Sequence, residues 1–144
     1  MDSLKEWGIV YIKNKDVLLG SIIAVEDAPE GFVVKYKDKE GIFLVIEKLT
    51  PDLIERLKQE ERTSNIITYY TKENFEFLVS RWKELAQFPK LTVYLANPSS
   101  NQDMVWSIKP YVHDHICDSS SLVRGLKAIA ESVPLVKKLH QLKK

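Results

Sequence analysis

An α+β fold built on a mixed, mostly antiparallel sheet is predicted by three observations. The first 49 residues are rich in Ile, Val, Leu, Phe and Tyr in short runs, the composition of strands. After Leu49 the apolar period lengthens from two to about 3.6, the signature of helices that bury one face. Turn-forming residues punctuate the segments throughout.

Residues 8 to 13 and 17 to 25 read as strands separated by Asn14-Lys15-Asp16, a short turn suited to a hairpin. Residues 32 to 37 and 42 to 49 flank Asp38-Lys39-Glu40-Gly41 and read as a second hairpin, completing an N-terminal four-stranded meander. In the third strand Val34 and Tyr36 alternate with Lys35 and Lys37, so one face is expected to be wet. The unbroken run of residues 42 to 46 places the fourth strand centrally, covered on both faces.

Thr50 as N-cap, Pro51 at the first helical position and Asp52 near the positive end of the dipole start a short helix reaching about Glu60. Residues 66 to 70 read as a strand. Thr71 then caps a helix whose stripe, Phe75, Leu78, Val79, Trp82, Leu85 and Ala86, follows the i, i+3, i+4, i+7 spacing. Residues 91 to 96 and 104 to about 112 read as strands. Ser119, Ser120 and Ser121 offer N-caps for a last helix with the stripe Leu122, Val123, Leu126, Ile129, Ala130 and Val133. The expectation is a meander followed by β-α-β-β-α, seven strands in one sheet, with helices mainly on one face. Residues 1 to 133 form a single α+β domain in this reading, and residues 134 to 144 a basic tail or short amphipathic helix.

Composition narrows the function classes. With 144 residues, 44% hydrophobic and 28% charged, the chain has the profile of a globular domain and not of disorder. It lacks a run of about 18 apolar residues, and its N-terminus lacks the basic and apolar regions of an export signal. Cys117 is its one cysteine. A cytoplasmic, reducing location is expected. The net charge of +1 is unevenly spread: residues 1 to 48 carry seven Lys/Arg against nine Asp/Glu, whereas the tail carries Lys137, Lys138, Lys143 and Lys144 with no carboxylate. Nucleic-acid binding is therefore expected only weakly and only through the tail.

Four groups of residues attract chemical readings. In Tyr111-Val112-His113-Asp114-His115-Ile116-Cys117-Asp118, an extended backbone would bring His113, His115 and Cys117 to one face, and imidazole and thiolate are ligands that zinc prefers. A bend into the following helix would separate them, and Cys117 would pack as a small apolar residue. Asn97, Ser99, Ser100 and Asn101 follow a strand and suit hydrogen bonding to a ligand, as they also suit an ordinary loop. Ser119, Ser120 and Ser121 could offer backbone N–H groups to an anion or simply cap a helix. Glu47 and Lys48, being adjacent, point to opposite faces and do not make a nuclease pair.

The chain has no Gly-x-Gly-x-x-Gly, Walker A, Gly-x-Ser-x-Gly or His-Glu-x-x-His motif. The leading expectation is thus a noncatalytic protein-interaction or assembly module without cofactor, open to self-association. A small zinc or thiol enzyme centred on His113, His115 and Cys117 is the first alternative, and a nucleic-acid role for the tail the second.

Overall fold

A computed structural model of the chain describes residues 3 to 97 and 104 to 112. Helix α1 (Ser3–Lys15) leads through a turn into strand β1 (Ile22–Ala28), followed by β2 (Gly31–Tyr36) and β3 (Glu40–Val45). Helix α2 (Asp52–Lys58), β4 (Thr63–Tyr69), helices α3 (Lys72–Ser80) and α4 (Trp82–Leu85), β5 (Leu91–Asn97) and β6 (Met104–Ile108) complete the described elements. The fold is α+β.

The six strands form one mixed sheet in chain order. β1, β2 and β3 are antiparallel neighbours; β3, β4 and β5 run parallel; β6 returns antiparallel to β5. The parallel pairs require crossovers, and α2 and the α3–α4 pair supply them.

The first predicted strand is a helix. Residues 8 to 13 have strand composition, but Leu4, Gly8 and Ile12 recur at four-residue spacing, and as a helix they pack on the sheet. Leu4 and Ile12 are buried with Phe32, Val34, Phe43, Ile67 and Tyr69. Trp7 and Tyr11, one turn apart, stack with ring centroids at 5.0 Å. Packing on a ready-made apolar face outweighs the modest helix penalty of Ile, Val and Tyr. Gly8 makes close approach possible, because a Cβ there would lie 2.7 Å from Ile67 Cδ1.

Two further expectations need correction. The described residues hold six strands, not seven, because the run that would have made the first hairpin arm belongs to α1. The second expectation is met in part: α2, α3 and α4 bury Leu53, Ile54, Leu57, Leu78, Trp82 and Leu85 on one face, against Val33, Ile42, Leu44, Ile66, Val93 and Leu95, whereas α1 covers the other. That arrangement also explains why β2 has no wet face over residues 32 to 34, where Phe32, Val33 and Val34 are all buried. The expectation for β3 holds: Ile42, Phe43 and Leu44 are buried on both faces between β2 and β4.

Details of the helix ends differ as well. Pro51, not Thr50, is the N-cap of α2, and Thr50 contributes its backbone carbonyl to Leu53 N–H. Thr71 does cap α3, its hydroxyl accepting from Asn74 N–H at 3.1 Å. The predicted long helix is broken at Arg81, whose φ of −106° and ψ of 17° are not helical, yet Leu78, Trp82 and Leu85 keep one buried stripe across the break. Phe75 and Val79 are only partly buried at its margin.

Candidate functional site

Past the C-terminal end of α1 the sheet face opens into a cleft of about 360 Å³. Its walls come from three places. Lys15 and Asp16 end the helix, Leu19 and Ser21 belong to the turn into β1, and Asp38 and Lys39 form the β2–β3 turn; Tyr36 and Tyr94 lie on the sheet side. The α1–β1 turn is shaped by Gly20 at φ +59°, a left-handed conformation that costs glycine little. Asp16 fixes the turn from the other side: its carboxylate accepts from the Ser21 hydroxyl, from Ser21 N–H at 3.1 Å and from Ile22 N–H at 2.8 Å. These bonds, the Ser21 hydroxyl foremost, hold the carboxyl below its usual range, with Lys37 adding its charge.

The cleft joins aromatic rings and ammonium groups. Tyr11 meets Tyr94 edge-on with centroids at 6.0 Å. Lys15 Nζ stands 5.5 Å from the Tyr11 centroid and 5.4 Å from that of Tyr94, and Lys39 Nζ stands 5.5 Å from the Tyr36 centroid. Among the described residues neither lysine has a carboxylate within ion-pair distance. Burial pushes the Tyr94 hydroxyl up to about 12, with Tyr11 and Tyr36 nearby adding to the effect, and burial also raises Tyr11 and Tyr36. All three hydroxyls are therefore protonated donors at neutral pH.

The Tyr94 shift has a sign that can be tested. The folded state holds the phenolic proton more tightly than the unfolded chain, so the contribution is complete below the ordinary value of 10.0 and is lost as pH rises towards about 12. Denaturant titrations across that window should show stability falling in the wild type. Tyr94→Phe should show a shallower fall; an identical one would mean that the ring is more hydrated than its burial implies.

The rim of the cleft is apolar and solvent-facing. Val17, Leu18 and Leu19 are 71%, 97% and 78% exposed, and Ile23 at the start of β1 is 66% exposed. Ile23 is turned outward by a register shift between Ile22 and Ala24. β1 ends the sheet on this side, with β2 as its one strand neighbour among the described residues.

Of the candidate site residues named from sequence, Asn97 is the one that lies among the described residues. Asn97, expected to open the loop after the strand, is instead the last residue of β5 and is buried. Ser99, Ser100 and Asn101 lie outside the described residues, as do Ser119, Ser120, Ser121, His113, His115, Cys117, Lys137, Lys138, Lys143 and Lys144. The strand expected over residues 104 to about 112 is shorter: β6 ends at Ile108 and residues 110 to 112 are helical.

Sequence reasoning missed Tyr11, Lys15, Tyr36, Lys39 and Tyr94 because they come from α1, from β2 with its following turn, and from β5, and no spacing connects those three segments. Counting charge along the chain also hid the grouping of Lys15 and Lys39 with Lys37 near Asp16. An open run of three aliphatic residues, Val17-Leu18-Leu19, was visible but was absorbed into a strand. No helix among the described residues is long and apolar enough to cross a membrane. No protein-family model, no curated protein and no solved structure matches the chain.

Proposed function

We propose that this protein is an assembly module that pairs with a second copy of itself through the α1–β1 turn and the β1 edge. The observation that carries this reading is the exposure of Val17, Leu18, Leu19 and Ile23 beside an open strand. Aliphatic side chains scattered singly on a surface are ordinary, but a contiguous group next to unpaired backbone donors and acceptors is not.

The edge itself favours an identical partner in antiparallel register. Beyond the register shift, residues 24 to 28 run regularly against β2. A two-fold axis through Val25 sets Val25 against Val25, Glu26 against Ala24 and Asp27 against Ile23 of the second copy. The carboxylates then avoid one another, as an isologous interface requires. Glu26 and Asp27 are already matched within their own chain by Lys35 at 3.3 Å and by Lys5. These charges discourage other registers, the usual protection of an exposed edge. The turn adds the apolar contact that strand pairing alone lacks, since two strands without a buried face are marginal.

Light scattering on the eluting protein tests this. The wild type should run at about twice 16.6 kDa at high concentration and approach the single-chain mass on dilution. Leu18→Asp, which alters a side chain almost wholly in solvent, should stay at the single-chain mass with unchanged thermal stability. A wild type that remains a single chain at its highest soluble concentration would overturn the proposal.

A further inference from the structure

We propose that the cleft beyond α1 binds a small organic phosphate, its phosphate between Lys15 and Lys39 and its apolar body against Leu19 and Ile22. This site borders the self-association surface and shares Leu19 with it, but does not rest on that reading.

The argument starts from charge. Lys15, Asp16, Asp38 and Lys39 face the cleft, and Lys37 lies near Asp16. Asp16 is already spent on the Ser21 hydroxyl and on two backbone N–H groups, within the field of Lys37. That leaves two ammonium groups against Asp38. Lys15 and Lys39 each lie over tyrosine rings, which hold the cations in place without neutralising them. Two positioned point charges, one from the end of α1 and one from the β2–β3 turn, match the spread charge of a phosphate monoester better than a single carboxylate.

Shape and hydrogen bonding agree. A volume of about 360 Å³ lies at the lower end of the range for small-molecule sites, enough for a phosphate with one ring or short chain. Ile12, Leu19 and Ile22 give an apolar wall, while Tyr36 and Tyr94 bring hydroxyls that burial keeps protonated as donors. A free cation would meet two like charges here, and an uncharged apolar molecule would leave both ammonium groups without an anion.

The test uses phenyl phosphate and adenosine monophosphate as probes, with phenol, adenosine and inorganic phosphate as controls. Binding is followed by methyl resonances of Ile12 and Ile22 in the full chain. At least one organic phosphate should shift both methyls saturably, more tightly than inorganic phosphate, with no response to phenol or adenosine. Lys15→Gln and Lys39→Gln should each weaken that binding about tenfold or more, the effect of losing one charge-assisted contact, whereas Lys90→Gln, a change at the far end of the β4–β5 crossover, should not. Leu18→Asp, which removes the proposed self-association, should bind as the wild type does, so the two readings fail separately. Absence of methyl shifts with both organic phosphates, or wild-type affinity in either lysine variant, would overturn the site. Binding of inorganic phosphate alone would overturn the apolar half of it.

Discussion

Gly31→Ala should remove a large part of the protein's stability. A Cβ at this position would lie 1.8 Å from the Phe43 carbonyl oxygen, 2.9 Å from Phe43 C and 3.1 Å from Val45 N. All three are backbone atoms of the neighbouring strand, so no rotamer change relieves the overlap. Relief requires β2 and β3 to move apart at the end of a five-pair ladder, where Gly31 opposes Leu44 and Val45 N–H donates to Glu30 C=O at 2.9 Å. The same movement would disturb Phe32 and Phe43, stacked at 4.9 Å in the core beneath α1. The expected cost is about 4 kcal/mol or more, beyond ordinary overpacking and a large part of a typical domain's stability. Gly20→Ala is the informative control. It meets no atom within 4 Å and carries only the left-handed penalty of about 1 to 2 kcal/mol. Urea unfolding that ranked Gly31→Ala no worse than Gly20→Ala would contradict the β2–β3 register.

Asn74→Ala should be the most damaging change of a polar side chain. Asn74 is 1% exposed, and its amide ties together segments distant in sequence. Its side-chain oxygen accepts from Leu49 N–H at 2.9 Å; its nitrogen donates to Glu47 C=O at 3.0 Å, to Thr68 Oγ1 at 3.0 Å and to Tyr69 C=O at 2.8 Å. One residue thus holds the exit of β3 against the end of β4 and the start of α3. Alanine orphans the buried Leu49 N–H and takes one donor from each of two carbonyls, leaving Glu47 C=O with the Thr68 hydroxyl at 3.4 Å and Tyr69 C=O with Thr71 N–H at 3.0 Å. At about 1 to 3 kcal/mol for the unsatisfied N–H, and less for each weakened carbonyl, roughly 3 kcal/mol should be lost. Asn74→Asp should fare little better, because the carboxylate cannot donate to the two carbonyls. Chemical denaturation measures both. A loss under about 1 kcal/mol for alanine would mean that water replaces the amide.

Much of the sheet was readable because β2, β3, β4 and β5 have short apolar runs bounded by turn residues, and their partners were close at hand. Helix α1 was not readable in the same way. Its composition favours strand, its turn-like Asn14-Lys15-Asp16 is the last turn of a helix and its exit, and only the burial of Leu4 and Ile12 on the sheet decides between the two. Strand preference reflects fit to a half-buried surface, so composition misleads where a helix fills that surface instead. The same error hid the exposed Val17-Leu18-Leu19 turn, which a strand would have buried in part. Thr71 as cap was visible from local order, yet the long-range bonds of Asn74 depend on where Glu47 and Leu49 lie, which local pattern does not tell. The cleft was invisible for the same reason: Lys15, Tyr36, Lys39 and Tyr94 meet only after α1 crosses the sheet.

Hydrogen exchange of the β1 backbone at several protein concentrations tests self-association through this edge most directly. The amides of residues 24 to 28 that β2 does not engage face the outer side of the strand, and in a lone chain they exchange with solvent. The expected result is protection that grows with concentration at those amides and disappears in Leu18→Asp, while β3 and β4 amides stay equally protected throughout. Exchange in β1 that is the same at all concentrations, in a sample whose mass shows two copies together, would contradict pairing at this edge.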